Sequence, residues 1–321
     1  MKRRFRIFLL ILALSAIITI FFKLKLPTHT ILWREIHNAG HAPLFGILSL
    51  TVLGLSFLIF NDSLAPRHKH YLLAFLLTVT IGALTEFIQI FGSGDADIFD
   101  LLRDAIGAAS FLGVAMVFDK EVGFVANRLK GRHRLAIGLI SILLFLSAFV
   151  PVALWTRAYI ERNVAFPSLA NFGSYWGRKF INTWDCDFKK VSGPAADGQE
   201  GKVVGRFDLH KADYPGFKIT EPVPDWTAYN RLVINLECTS GTPVKLAVRI
   251  EDRAYNRNYG DRFNYSQMIP NGPSQIVLPF EIIRFAPETR EMDMQKIDAI
   301  YIFAVKPDSA TTLDFKNIYL E

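Results

Sequence analysis

The sequence predicts a two-part protein, with an α-helical membrane domain followed by an extracytoplasmic all-β sandwich. The chain has 321 residues, of which 51% are hydrophobic and only 21% are charged. Its long apolar runs nearly all lie before Trp155, and the remainder alternates short apolar runs with turn residues, as soluble β domains do. We therefore divide the chain into a transmembrane helical domain, 1–155, a connector, 156–179, and a sandwich, 180–321.

Five apolar runs are each close to the ~20 residues that a helix needs to cross the hydrocarbon core of a bilayer. The first run follows the basic start MKRRFR, and no small-residue cleavage site comes after it. We therefore expect an uncleaved membrane helix there rather than a signal peptide. The predicted spans are 7–22, 42–60, 71–91, 98–118 and 135–155.

Lysine and arginine in the short loops orient these helices, because basic residues concentrate on the cytoplasmic side of a membrane. With the N-terminus inside, the cytoplasmic segments carry Lys2, Arg3, Arg4, Arg6, Arg67, Lys69, Lys120, Arg128, Lys130, Arg132 and Arg134. The opposite segments carry only Lys23, Lys25, Arg34 and Arg103. Five crossings then place the sandwich outside the cytoplasm. This bias accounts for much of the formal charge of +6, and no nucleic-acid partner is expected.

Titratable and amide side chains recur at the predicted outer ends of three spans. Some of them are spaced i, i+3 or i, i+4, so each such pair shares one helix face. Ionised groups are costly in lipid, and we expect these side chains to face the bundle interior or a polar cavity. The candidate cluster comprises His37, His41, Glu86, Gln89, Asp97, Asp100 and Asp104.

Several of these residues also have a plainer structural explanation. Asp97 and Asp100 suit the N-terminal cap of a helix, and His37 suits an interfacial loop. Glu86 is placed too deep for a purely solvated role, and Asp104 lies at least a full turn inside its helix. A structural hydrogen-bonding role and a functional site therefore both stay open.

The motifs His-x-x-x-His, Thr-Glu-x-x-Gln-x-Phe and Asp-x-x-Asp-x-x-x-Asp-x-x-Gly-Ala resemble the VanZ-like family of bacterial membrane proteins over about residues 30–120. Glu86, Gln89, Asp100 and Gly107 match the family pattern. Asp104 stands where the family commonly has Asn, and the loop GSGDAD lacks the family's arginine. The resemblance implies a protein of the bacterial cell membrane, and glycopeptide resistance only through the family's name.

The candidate cluster is compatible with three kinds of chemistry. Histidines and carboxylates suit a divalent metal, acid–base catalysis on a lipid or cell-wall intermediate, or a proton or ion relay. No HExxH-like signature accompanies the histidines, so we assign no metal ligands and leave the cofactor open. A binding or structural cluster without turnover is at least as well supported.

From Trp184 onward, short alternating runs are rich in Val, Ile, Phe and Tyr, and Gly, Pro, Asn and Asp separate them. This spacing predicts an antiparallel sandwich. The predicted strands are KVVGRFDL, FKITEPV, RLVINLEC, VKLAVRIED, SQIVLPFEII, AIYIFAV and LDFKNIYL. Their order and character resemble the galactose-binding-like jelly roll of carbohydrate-binding modules over about residues 180–321, which implies a glycan or cell-wall partner.

The segment EDRAYNRNYGDRFNY is the best candidate ligand loop of the sandwich. Its tyrosines suit stacking on sugar faces, and its charged groups suit binding of hydroxyls; the alternative is an amphipathic rim without a ligand. The candidate ligand-binding residues are Asp252, Arg253, Tyr255, Tyr259, Asp261, Arg262 and Tyr265. Asp314, near the last strand, is a single carboxylate and makes no calcium site alone.

The only two cysteines, Cys186 and Cys238, both fall in the predicted exported region. Since that compartment is oxidising, they suggest a disulfide.

Three functional classes remain. The first is an envelope protein whose helices present a glycan-binding sandwich. The second is a membrane enzyme at the outer leaflet, with Glu86, His41 and Asp100 as its polar centre. The third is an ion-coupled transporter, which is weakest because five helices show no inverted repeat. The absence of a nucleotide loop, nucleophile elbow or zinc signature makes catalysis less expected, and the oligomeric state stays open.

Overall fold

The computed structural model describes residues 2–23, 27, 29–60, 66–91, 97–124, 127–128, 131–192 and 203–321. The chain divides into two units, Met1–Thr156 and Arg157–Glu321. The span predicted as a connector, 156–179, contains the end of a helix, a short strand and one helical turn.

The first unit is built from helices. In chain order they are α1 (Lys2–Lys23), α2 (Ile31–Ala39), α3 (His41–Phe60), α4 (His68–Ile90), α5 (Ile98–Phe118), α6 (Gly131–Ser147) and α7 (Val150–Ala165). Between α5 and α6, β1 (Gly123–Phe124) pairs with β2 (Asn127–Arg128). The division between the two units falls within α7.

Three helical stretches among the described residues are long and apolar enough to cross a membrane: Ile31–Phe60, His68–Ile90 and Ile98–Phe118. They correspond to the second, third and fourth predicted spans. The fifth predicted span is broken, because α6 and α7 meet at an angle of 44°, and counting the pair as one span makes four. A helix, α1, also covers the first predicted span, so five crossings stay a prediction.

Close packing around α3 organises this unit, since α3 contacts α1, α4 and α5. Glycine permits the tightest approach, as it does in many membrane bundles. A Cβ added to Gly107 of α5 would lie 2.1 Å from the backbone oxygen of Ala42 in α3. Phe45, Leu48 and Leu112 fill the adjoining core.

The second unit is a β-sandwich with short helical segments. Its strands are β3 (Ser168–Ala170), β4 (Ile181–Trp184), β5 (Cys186–Ser192), β6 (Val203–Leu209), β7 (Gly216–Thr220), β8 (Arg231–Cys238), β9 (Val244–Asp252), β10 (Phe263–Ile269), β11 (Gly272–Pro279), β12 (Ile297–Ala304) and β13 (Thr311–Leu320). The helices are α8 (Trp176–Lys179) and α9 (Phe280–Arg284).

These strands form two antiparallel sheets. One has the order β10-β9-β12-β7-β4, and the other has the order β11-β8-β13-β6-β5, with β3 pairing to β13. Alternate side chains of each sheet point into a shared core. Trp226, Ile234 and Val248 are fully buried there, and Phe207 stacks on Phe217 of the facing sheet with ring centroids 4.0 Å apart. The predicted all-β sandwich is confirmed.

The strand predictions succeeded where alternation is strong. β8 and β9 begin and end at the predicted residues. The run SQIVLPFEII is strand only as far as Pro279, and its last residues begin α9. β4, β5 and β10 were not predicted, and β10 takes up the last residues of the predicted ligand loop.

The predicted disulfide is wrong. Cys186 and Cys238 are free, buried thiols. β6 and β13 lie between their strands β5 and β8, which separates them by three strand spacings of about 4.8 Å each. A disulfide requires Cα atoms within about 7 Å. Burial raises the pKa of the Cys186 thiol to about 12, so this cysteine is unreactive at neutral pH.

Candidate functional site

The helical unit brings a buried histidine against two carboxylates. His41, the first residue of α3, has its Nδ1 2.9 Å from Oδ1 of Asp104 and its Nε2 3.9 Å from Oδ2 of Asp100. Asp104 is completely buried and His41 nearly so. With a carboxylate as acceptor, Nδ1 of His41 carries the proton that it donates to Asp104. This pair forms the centre of the predicted polar cluster.

Asp104 and Glu86 each keep one carboxylate oxygen without a hydrogen-bond donor in the described part of the chain. Gly82 on α4 makes room for Asp104, since a Cβ there would lie 2.7 Å from Oδ2 of Asp104. Glu86 follows Gly82 by four residues and therefore shares its helix face. Unpaired buried oxygens are uncommon in proteins, and polar groups within membrane helices tend to be functional.

Asp97 connects the ends of two helices. Its Oδ1 accepts a hydrogen bond of 2.9 Å from the N–H of Phe99 and caps α5. Its own N–H donates to Oε2 of Glu86 at 3.0 Å. Asp100 forms an ion pair with Arg103, which also lies 3.9 Å from Asp97. Arg103 was not among the predicted site residues, although its spacing of three from Asp100 is a recognisable ion-pair signal.

Two of the predicted residues lie at the edge of this cluster. The ring of His37 meets that of His41 edge-on, with centroids 6.1 Å apart. Gln89 is half-buried, and its side chain makes no hydrogen bond to another described residue. Within the described ranges, no group of three or more His, Cys, Asp or Glu side chains is arranged to hold a metal ion.

The second candidate site is a groove of about 730 Å³ on the outer face of the five-stranded sheet. Six of its lining residues are aromatic, three are cationic, and the others are small, polar or aliphatic. The described lining residues are Trp184, Tyr214, Lys245, Ala247, Val248, Arg249, Tyr259, Arg262, Asn264, Tyr265, Ser266, Tyr301, Phe303 and Val305.

Strand register places Tyr301 at the middle of this face, between Arg249 on β9 and Lys218 on β7. The Arg249 guanidinium lies 4.5 Å from the centroid of the Tyr301 ring, and Nζ of Lys218 lies 4.9 Å from it. The ring of Trp184 follows at 6.2 Å. Cation–π contacts of this kind hold an aromatic ring in place.

Two residues further along β12, on the same face as Tyr301, Phe303 lies between two small residues, Ala247 and Gly216. A Cβ at Gly216 would lie 2.5 Å from the Cβ of Phe303. Gly216 thus makes room for Phe303, and the small side chain of Ala247 lines the groove beside the aromatic rings.

The predicted ligand loop contributes only part of the groove. Tyr259, Arg262 and Tyr265 line it, and Tyr259 is 72% exposed. Tyr255 lies behind the lining, where its hydroxyl accepts a hydrogen bond of 3.2 Å from Arg262. Arg253 is exposed and is not among the lining residues.

Asp252 and Asp261 are buried and hold the loop in place. Arg290 donates two hydrogen bonds to Asp252, at 2.5 and 2.7 Å, and one of 2.6 Å to Asp261. These bonds raise the pKa of Arg290, and the bond from Arg290 lowers the pKa of Asp261 below its ordinary value. Asp314 is similarly occupied, because Arg206 binds both of its oxygens.

Four aromatic lining residues outside the predicted ligand loop were not predicted: Trp184 on β4, Tyr214 in the bend before β7, and Tyr301 and Phe303 on β12. A signal for two of them exists in β12, where Tyr301 and Phe303 alternate with buried Ile300 and Ile302. Large aromatic side chains on the solvent side of a strand are typical of binding surfaces.

No family model matches the chain, so the predicted VanZ-like membership stays a prediction. No curated protein matches it either.

Among solved structures, an exo-beta-agarase is similar at 13% identity, with a TM-score of 0.40, over 48% of this chain and 24% of that chain. A family 11 carbohydrate-binding module from Clostridium thermocellum, in complex with a beta-1,3-1,4-mixed-linked tetrasaccharide, has 18% identity and a TM-score of 0.38, over 48% and 93%. A family 30 carbohydrate-binding module of a Clostridium thermocellum cellulosomal cellulase has 12% identity and a TM-score of 0.32, over 44% and 90%. These scores are low, and the fold assignment rests on the sheets described above.

Proposed function

We propose that the protein is a bacterial membrane protein that presents a glycan-binding sandwich outside the cytoplasm. The observation that carries this proposal is the groove beside Tyr301. Its aromatic rings offer flat apolar faces to sugar rings, and Asn264 and Ser266 offer hydrogen bonds to hydroxyls. A concave surface that combines aromatic rings with a few polar groups is typical of small-ligand and glycan sites.

The membrane part of the proposal rests on the helical unit. Several of its helices carry large apolar side chains on their exposed faces as well as inside. Examples are Leu76, Ile88, Leu139 and Leu143, each more than half exposed. An apolar exposed face of this extent suits contact with lipid. The basic bias of the loops favours a cytoplasmic N-terminus and a sandwich outside the bacterial cell membrane.

Assignment of the helical unit to the VanZ-like type is the finer part of the proposal. His41, Asp100 and Gly107 support it, because they lie where α3 packs on α5, and Glu86 of α4 supports it by accepting a hydrogen bond from Asp97 at the start of α5. A link to glycopeptide resistance rests on the family resemblance alone.

Replacing Tyr301 tests glycan binding. Tyr301→Ala removes the ring at the middle of the groove, and we expect binding to a recognised polysaccharide to weaken by about tenfold, the effect of losing an aromatic contact residue. The matched control is Tyr319→Ala, on β13 of the other sheet. Affinity electrophoresis of the full chain suits the measurement, in a detergent without a sugar headgroup. Equal retention of Tyr301→Ala and wild type would contradict the proposal.

A second candidate function is a membrane enzyme that acts on a lipid or cell-wall intermediate at the outer leaflet. The buried His41–Asp104 pair favours it, together with the unpaired oxygen of Glu86, since acid–base catalysis needs such groups within reach of one another. An ion-coupled transporter has less support, because the sequence shows no inverted repeat.

Two substitutions of Glu86 test the enzyme function. Glu86→Gln keeps the shape and removes the charge, whereas Glu86→Ala removes both. The enzyme function predicts normal membrane levels of Glu86→Gln with altered sensitivity to a cell-wall antibiotic. If only Glu86→Ala is lost from the membrane, the residue is a structural partner. Wild-type levels and sensitivity of both variants would contradict a functional site.

A further inference from the structure

The groove on the five-stranded sheet carries an unbalanced positive charge. We propose that it selects an acidic polysaccharide, in which carboxylate or phosphate groups lie along the chain, over a neutral one. This inference rests on the proposed glycan-binding function and assigns the class of ligand.

The first observation is the charge of the residues that line the groove. Lys245, Arg249 and Arg262 line the groove, and no Asp or Glu is found among its described lining residues. The carboxylate of Glu251 pairs with Arg249 and lies 4.0 Å from Arg262. Two arginines therefore share one negative charge, and Lys245 adds a third positive charge that has no carboxylate partner among the described residues.

The second observation is that these cations have few acidic partners. Arg262 donates hydrogen bonds to two neutral oxygens, those of Tyr255 at 3.2 Å and Asn264 at 3.1 Å, and lies 4.0 Å from Glu251. Lys245 is exposed and forms no ion pair with another described residue. Lys218 lies over the same central tyrosine and likewise has no acidic partner in the described part of the chain.

These cations surround the surface on which a sugar ring would stack. A neutral glycan that covers this surface removes water from the cations without supplying an opposite charge, which is unfavourable. An acidic glycan replaces that water with charge-assisted hydrogen bonds, which are roughly twice as strong as neutral ones. Aromatic rings beside a surplus of cations therefore favour a ligand that has both sugar rings and negative charges.

Single-stranded nucleic acid also combines flat rings with negative charges. The predicted position of the sandwich outside the cytoplasm disfavours it. It enters the experiment as a competing ligand.

The test compares ligands that differ only in charge. Polygalacturonate and its fully methyl-esterified form share one backbone, and only the first is ionised. Full-length protein in a detergent without a sugar headgroup should bind polygalacturonate at least about tenfold more tightly than the ester. The difference should shrink as NaCl rises from about 50 mM to about 500 mM, because salt screens exposed charges. Poly(glycerol phosphate) tests phosphate as the source of the charge.

Variants locate the effect in the groove. Lys245→Gln should weaken binding of the preferred acidic polymer about fivefold and reduce its preference over the ester, as expected for one partly exposed ion contact. Lys316→Gln is the matched control, because Lys316 lies on the opposite sheet, paired with Glu237. It should bind like wild type.

The outcomes separate the inference from the proposed function. Preference for polygalacturonate or poly(glycerol phosphate), reduced in Lys245→Gln, supports the inference. Equal binding of polygalacturonate and its ester, dependent on Tyr301, overturns it and leaves glycan binding standing. Tighter binding of single-stranded poly(dT) than of any glycan overturns the inference. The absence of binding to every polymer also overturns the inference, and it counts against the proposed function as well.

Discussion

Two aspartates of the ligand loop have a structural role, although the sequence around them predicts ligand binding. Asp252 and Asp261 were predicted to bind sugar hydroxyls. Both instead bind Arg290, which lies 38 and 29 residues away in the sequence. A local pattern cannot reveal a partner at that distance. The neighbouring Tyr259 and Arg262 do line the groove, since solvent exposure of a turn is easier to predict than the partner of a carboxylate.

Asp261→Asn should destabilise the sandwich in a pH-dependent way. The hydrogen bond from Arg290 lowers the folded pKa of Asp261 below the ordinary value of an aspartate. The stabilisation is therefore present above about pH 4 and is lost as the pH falls through the lowered folded value. At neutral pH we expect a loss of about 1.5 kcal/mol, the lower end of the contribution of a hydrogen bond to a charged group, because the amide oxygen of Asn still accepts a hydrogen bond. Thermal unfolding of the full chain checks this from about pH 6 to about pH 2.5.

Asp308→Asn is the matched control, because Asp308 is exposed in a loop of the same unit. Its melting temperature should follow wild type across the range. If the difference between Asp261→Asn and wild type stays constant to the lowest pH, the ionised carboxylate is not the source of the stability.

Strands were predictable where apolar and polar side chains alternate along the sequence. Helices were predictable where a long run of residues is apolar. β8 and β9 are buried on one face and match the prediction residue for residue. β10 was not predicted because the residues that face the groove, Asn264 and Ser266, are polar, and their sequence is typical of a loop. The polar cluster of the helical unit was predictable because carboxylates stand out at the ends of apolar runs. Its pairing of His41 with Asp104 was not, because sequence does not fix which helices pack together.

Gly107→Ala should disrupt the packing of α3 on α5. The added Cβ would lie 2.1 Å from the backbone oxygen of Ala42, and a helix backbone cannot move aside as a side-chain tip can. Overpacking typically costs about 1–3 kcal/mol, and we expect the upper part of that range. The measurement is the midpoint temperature for loss of the monodisperse peak in detergent.

Gly131→Ala provides the control for this experiment. A Cβ at Gly131, the first residue of α6, meets nothing within 4 Å among the described atoms. Its midpoint should equal or exceed that of wild type, since alanine favours helix. A Gly107→Ala protein as stable as Gly131→Ala would contradict the packing of these helices.

For the whole molecule, the length of the apolar runs predicted the division into a helical part and a second part, and the alternation of short apolar runs predicted that the second part is β. The number of membrane crossings was harder to predict. The run 135–155 is continuously apolar, yet the chain bends between α6 and α7. Pro151, in the first turn of α7, is the signal for that break, since proline is tolerated there but cannot continue a preceding helix.

The orientation of the molecule in the membrane is a prediction of its own. Because basic loops stay in the cytoplasm, the C-terminus should lie outside it. We therefore expect activity from a reporter enzyme that works only outside the cytoplasm when it is fused after Glu321. Fusions after Lys69 should show the opposite behaviour. Activity of a cytoplasm-dependent reporter after Glu321 would contradict the proposed location of the sandwich.

Hydrogen–deuterium exchange of the full chain, with and without bound polysaccharide, tests glycan binding by the groove most directly. It reports where the ligand lies without any substitution. We predict slower exchange in β9, β10, β12 and residues 253–262, with little change in β8 and β13 of the other sheet. Protection confined to β8 and β13, or to the helical unit, would contradict the account.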